Sequence, residues 1–298
     1  VTITAIIIAD SISAYGPRIT TLQLRYPRFI HAEFMTHRAF SRNASSSRAI
    51  PVQKLIQDII DDTAMPLHWG KNQPGMQARE EHDGLVDHTV FEPEVRPDVP
   101  DYLATVGTYS GGPVEAWDAA RNWAIHAAEQ FAAAGYHKQI VNRLLEPFSH
   151  INVVVTATDW ENFFELRDHP DAQPEIQVLA RAIKDAMAAS VPDELPAGLW
   201  HLPYATFDED LQTYADEHDM SLVDVALKVS VARCARVSYL THDGRKTTVE
   251  EDVALHDKLV VAEPLHASPA EHQATPVQGR DRNFNGWRQY RSVLEQTA

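Results

Sequence analysis

Apolar residues open the chain as a near-continuous run, Val1-Thr-Ile-Thr-Ala-Ile-Ile-Ile8, which predicts a buried strand to about Ala9. Ser13-Ala-Tyr-Gly-Pro-Arg18 carries turn residues, and Ile19 to Tyr26 then alternates apolar and polar up to Pro27, so the first two strands read as a hairpin. Pro27 begins a helix on which Phe29, Ile30, Phe34 and Met35 keep helical spacing, and Gln53 to Ala64 reads as a second, short helix. From Pro66 to Pro113, prolines, glycines and acids break every period, which predicts an irregular insertion with Trp69-Gly-Lys-Asn-Gln-Pro-Gly75 as a surface loop, a lid being the alternative. Glu115 to Ala134 is the clearest helix, with Trp117, Ala120, Ala124, Ala127, Ala128 and Phe131 on one face and Gly135 as its stop. Further helices are expected over Lys138 to Leu145, Asp159 to Arg167, Pro174 to about Ala189, Ser221 to Val231 and Thr248 to about Val261, with a strand over Ile151 to Thr156. Nothing repeats and no linker interrupts the alternation, so residues 1–298 read as one α/β (α+β) domain with an irregular insertion at about 66–113.

Charge narrows the partners. A formal net charge of −16 argues against sequence-independent binding of a nucleic acid polymer, which needs a basic face. No apolar stretch approaches the roughly 20 residues that span a bilayer, and the opening run lacks a basic flank and a cleavage site. The single cysteine, Cys234, excludes an internal disulfide and a paired-cysteine metal site and fits a cytoplasmic protein; in its apolar run it reads as an inert buried thiol. Fifteen histidines are present without H-E-x-x-H or comparable spacing, so no metal site is expected.

Against that acidic background, Thr36-His-Arg-Ala-Phe-Ser-Arg-Asn-Ala-Ser-Ser-Ser-Arg48 concentrates cations and hydroxyls. Arg38 and Arg48 can fork onto phosphate oxygens while Ser41, Ser45, Ser46 and Ser47 offer short donors; a solvated serine-rich loop is the competing reading. Read as x-H-R-x-x-S-x-N-x-x-S-x-R, the stretch resembles the R-H-R-x-x-S-x-N-E-x-S-x-R signature of flavin-dependent thymidylate synthases, with Thr36 in place of the first arginine and Ala44 in place of the glutamate. Arg143-Leu-Leu-Glu-Pro147, Trp160-Glu-Asn-Phe-Phe-Glu-Leu-Arg167 and Asp171-Ala-Gln-Pro-Glu-Ile176 resemble that family's R-x-x-L-P element, its helix ending in L-R, and H-A-Q-x-E-I. Thr156 and Thr158 stand where the family has asparagine and arginine, and Asp171 where it has histidine. Ala232-Arg-Cys-Ala-Arg-Val-Ser-Tyr239 and Leu265-His-Ala-Ser-Pro-Ala-Glu-His272 resemble A-A-R-V-S-Y and G-H-x-S-P-F-E-H, which open the family's chains but lie late here. The order implies a circular permutation, in which Ser268 and Glu271 return to the His37–Arg48 motif; locally, Ser268-Pro-Ala-Glu271 reads as a capping box.

The resemblance implies a mixed or antiparallel sheet packed with helices and FAD-dependent one-carbon transfer to C5 of a pyrimidine deoxynucleotide monophosphate. Reductive methylation of dUMP to dTMP is foremost, with methylenetetrahydrofolate and NADPH as co-substrates. Another pyrimidine nucleotide, a hydroxymethyl product and a non-catalytic nucleotide-binding homologue are the alternatives. Carried over by position, Arg167 is the catalytic residue at the pyrimidine; Glu33, Ser46, Ser47, Arg48, Arg143 and Arg167 bind substrate; and His37, Arg38, Asn43, Asn162, Ser238, His266, Ser268 and Glu271 bind the flavin. A homo-oligomer, tetrameric by resemblance, is implied. The tail Asn283 to Arg291 falls outside these motifs, and its Trp287 and Tyr290 are expected on the body with the arginines in solvent.

Overall fold

The computed structural model describes residues 2–91, 106–237, 240, 241, 244–261 and 266–297. In chain order the elements are β1 (Thr4–Ser13), β2 (Gly16–Pro27), α1 (His31–Phe34), β3 (Ser41–Ala44), α2 (Val52–Asp61), β4 (Val86–Phe91), β5 (Val106–Gly111), α3 (Pro113–Ala133) and α4 (Lys138–Val141). There follow β6 (His150–Ala157), α5 (Glu161–Arg167), α6 (Pro174–Ala189), β7 (Asp193–Glu194), α7 (Glu209–Glu217), α8 (Leu222–Arg236), α9 (Val249–Val261), β8 (Ala274–Asp281), β9 (Phe284–Gln289) and α10 (Tyr290–Thr297). No helix among the described residues is long and apolar enough to cross a membrane.

The main sheet has the order β3-β6-β2-β1-β7; its pairs are antiparallel except β1 with β7, so the sheet is mixed. Strand β6 lies between β3 and β2, and its β-branched run is buried on both faces. On one face Leu22, Leu24, Tyr26, Ile151, Val153 and Val155 pack against Ile30 and Phe34, Phe163 of α5, and Ile176, Leu179 and Ile183 of α6. On the other face Val154 packs against Cys234 and Val237 at the end of α8. Burial raises the Cys234 thiol well above its ordinary range, which suits the inert role read from sequence.

Five segments differ from the local expectation. The helix after Pro27 is a 3-10 turn, Arg28–Ile30, followed by the single turn of α1. It stops because the Thr36 hydroxyl takes the Glu33 carbonyl at 2.8 Å, so His37 and Arg38 lie in the loop before β3. The stretch expected to be irregular contains the antiparallel hairpin β4–β5, and the helix expected over Lys138 to Leu145 breaks after α4 into 3-10 turns at Asn142–Leu144 and Glu146–Phe148. Ser268–Glu271 is a 3-10 turn with no side-chain cap: the turn begins at Ser268 itself, which leaves Ala267 at the cap position, and Glu271 pairs with Arg291. The tail forms the hairpin β8–β9 with Trp287 wholly buried, and its arginines are engaged: Arg282 and Arg291 with Glu295, Arg288 with Gln296. This hairpin meets the β1–β2 turn glycine to glycine: a Cβ on Gly16 would lie 2.6 Å from the Gly286 Cα.

Candidate active site

The signature loop is held from three sides. Phe34, Phe40, Trp160 and Phe163 form an aromatic block that fixes the turn between α1 and β3 against α5. Arg42 donates to the backbone oxygens of Met35 at 3.1 Å and His37 at 2.8 Å. Asn283 of the tail donates to the Ala39 carbonyl at 3.0 Å and to the Ser41 hydroxyl at 3.1 Å, and Gln289 also reaches Ser41. The buried Ser41 therefore braces the loop instead of facing a ligand. Nothing in local sequence assigned these tasks to Arg42, Asn283 or Gln289.

One cluster gathers three predicted residues. Arg167, at the end of α5, donates from Nε to His37 Nε2 at 2.9 Å, pairs through its guanidinium with Glu33 of α1, and reaches the Thr36 hydroxyl at 3.4 Å. Burial, then the Arg167 and Arg42 charges, pull the His37 pKa down to about 4. His37 is therefore neutral at pH 7 and can accept the Arg167 N–H. Beside it lies a cleft of about 160 Å³ lined by Thr36, His37, Arg38, Phe40, Asn162 and Phe163. The Arg38 and Asn162 side chains are exposed there and make no hydrogen bond within the described residues. The aromatic floor and polar rim fit part of a flat, polar heteroaromatic group.

A second cluster lies at the other end of the motif. Ser45 pairs with Asn152 of β6 through N–H and Oγ, at 2.8 and 3.1 Å, so the chain leaves the sheet just before Ser46. Ser47 is buried and donates to Glu146 at 2.6 Å; Arg143 donates to both Glu146 oxygens at 3.2 and 3.3 Å. Ser46 and Arg48 are exposed and only 3.5 Å apart. The four predicted anion-binding residues thus fall on two adjoining turns, with Glu146, which the sequence reading passed over, among them.

The late segment does return to the motif. Asn43 donates to the Cys234 carbonyl at 3.4 Å, and the Ser268–Glu271 turn packs on β3 although more than two hundred positions separate them. Glu271 acts on the Arg42 charge and so connects to His37 through Arg42, with no direct bond to His37. His266 is exposed; its amide bonds the Leu259 carbonyl at 3.3 Å, and it joins neither cluster by a hydrogen bond. Ser238 lies outside the described residues. The family departures have local tasks: Thr156 bonds Thr21 and His272, Thr158 accepts the Asn285 N–H at 3.1 Å, and Asp171 accepts from Arg79 of the insertion at 3.1 Å.

The family described as "Thymidylate synthase complementing protein" matches residues 18–193, more than half of the chain and from β2 through β7. The chain belongs to that family, the flavin-dependent thymidylate synthases. It is a methyltransferase of this type, acting in pyrimidine nucleotide metabolism. Among solved structures it is similar to a UMP/dUMP methylase, PolB, from Streptomyces cacaoi bound with 5-Br dUMP, at 16% identity and TM-score 0.40 over 63% of this chain and 90% of that one. The same methylase bound with 5-Br UMP gives 18% identity and TM-score 0.36 over 57% of this chain and 68% of that one. No curated protein matches.

Proposed function

We propose that this thymidylate synthase family member catalyses FAD-dependent reductive methylation of dUMP to dTMP, with methylenetetrahydrofolate as carbon donor and NADPH as electron source. The observation that carries the reading is the cluster Arg167–His37–Glu33 beside the aromatic-floored cleft. A guanidinium fixed by a neutral imidazole and a carboxylate is preorganised for charge developing on a pyrimidine oxygen, which makes Arg167 the catalytic residue of this proposal. Glu33 orients Arg167 and reads the base edge, while Ser46, Ser47, Arg48 and Arg143 receive the 5′-phosphate. His37, Arg38 and Asn162, around the cleft, with Asn43, Ser238, His266, Ser268 and Glu271, hold the flavin in this reading. When bound, the flavin supplies the hydride chemistry. The contact of β3 with Ser268–Glu271 supports the circular permutation, and assembly as a cytoplasmic homo-tetramer belongs to the same proposal.

One observation favours a second reading. Glu33 stands where the family has a glutamine, and its carboxylate, unlike a glutamine amide, cannot donate to the O4 of a uracil but can accept from the 4-amino group of a cytosine nucleotide. The test is to load the purified protein with FAD and titrate dUMP, UMP, dCMP and CMP while following the flavin spectrum, then add methylenetetrahydrofolate and NADPH and identify the product by mass. A response to dUMP with a gain of one methyl group is expected; a response confined to cytosine nucleotides selects the second reading. No flavin binding overturns both.

A further inference from the structure

We propose that Glu146 is an internal stand-in for the substrate's phosphate: a carboxylate that occupies the anion cradle and must be displaced before a nucleotide binds. The inference rests on the reading of Ser47, Arg48 and Arg143 as the phosphate site. Glu146 takes the Ser47 hydroxyl at 2.6 Å and both its oxygens receive Arg143, the donor pattern a phosphate would need. Arg28 adjoins the pair: burial lowers its pKa, and the Glu146 charge offsets part of that cost. Arg28 and Arg143 thus share one carboxylate, and with Arg48 on the adjoining turn, bonded to Ser46, the cradle keeps an excess of positive charge with Glu146 in place.

The mounting suits exchange. Glu146 begins a 3-10 turn whose backbone is pinned by Ser149 Oγ on the Glu146 carbonyl at 3.0 Å, while its side chain keeps 23% exposure and can rotate into water. Leucine stands at this position in the R-x-x-L-P pattern, and leucine can accept neither bond. An incoming anion must therefore outcompete a carboxylate for the same donors. A phosphate monoester, with three terminal oxygens and close to two charges, does so, whereas a phosphodiester with one charge gains little by the exchange. Glu146 thereby selects a terminal monophosphate over an esterified one.

The test titrates FAD-loaded wild-type, E146Q and E146L protein with inorganic phosphate, dUMP and the 5′-methyl ester of dUMP, by calorimetry. Both variants are expected to tighten phosphate and dUMP by about tenfold or more and to narrow the preference for dUMP over its ester. Unchanged or weaker phosphate and dUMP binding in both variants, with wild-type thermal melts and FAD affinity, overturns the proposal. Tightened phosphate binding with no response to dUMP supports the role of Glu146 and instead sinks the dUMP reading.

Discussion

Two arginines of this site are each held by a carboxylate, yet the two pairs sit on different footings. Arg167 and Glu33 project from α5 and α1, helices locked together by Phe34 and Phe163, and the Arg167 side chain is 18% exposed with His37 as a further partner. Arg143 and Glu146 stand on consecutive 3-10 turns, and the Arg143 side chain is 60% exposed. Water screens the second pair, and an exposed pair of this kind contributes about 0–1 kcal/mol to stability. The first pair is built to stay in one geometry, the second to change partners. A substrate's base would thus meet a prepared surface, while its phosphate would meet donors already engaged by an anion.

The largest effect expected is that of acid on the buried histidines, of which His37 belongs to the first pair. His37 falls from an ordinary 6.5 to about 4 in the fold, and the buried His201 and His272 fall to about 3, in each case chiefly through burial. A depressed histidine pKa means that the unfolded chain binds more protons, so stability is full above pH 6.5 and declines as pH falls toward 4 and then 3. Denaturant midpoints should be flat from pH 8 to about 6.5 and drop steeply below it. Constant midpoints down to pH 4 would contradict the buried neutral histidines.

Arg167→Ala should cost about 3–4 kcal/mol of transition-state stabilisation, seen as a fall in kcat with FAD affinity retained. Arg167→Lys should not rescue it, because an ammonium cannot bond His37 and Glu33 in the same planar fork. Retained turnover in the alanine variant would remove Arg167 from the chemistry. At the exposed end, Arg48→Ala and Arg143→Ala should each weaken nucleotide monophosphate binding by roughly 1.5–3 kcal/mol while FAD affinity changes less; equal affinity in both would dissolve the phosphate site. The smallest effect is expected behind the loop, where Asn283→Ala removes the bonds to Ala39 and Ser41 and should lower stability by about 1 kcal/mol in a denaturant melt. An unchanged midpoint would show that the tail does not brace the motif.

What could be read from sequence was set by range. The β1–β2 hairpin, α3, α6, the Ser221 cap on α8 and the Thr248–Glu251 capping box depend on residues a few positions apart, and all are present. Ser268–Glu271 has the same local spelling as the last of these but lacks the cap, because the turn begins one residue early with Ala267 at the cap position, and its carboxylate pairs with Arg291, twenty residues on. The grouping of Glu33, His37 and Arg167 was reachable only through the family resemblance, since the pairing spans 134 positions. Arg42 and Asn283 occupy positions that no motif marks, and Glu146 replaces the leucine of its motif; the roles of all three arise when distant segments pack.

The contact between β3 and the Ser268–Glu271 turn also fixes an order of events during synthesis. Strands β1, β2, β3 and β6 are available once residue 157 has left the ribosome, so most of the main sheet can form while the chain is still growing. The Ser268–Glu271 turn that meets β3, and Asn283 behind it, follow more than a hundred residues later, which is several seconds or more at about 5–20 residues per second. During that interval the nascent chain presents the hydroxyls and arginines of the motif without the segment that packs on β3, and in the proposed reading the site is complete only once Asn283 has emerged.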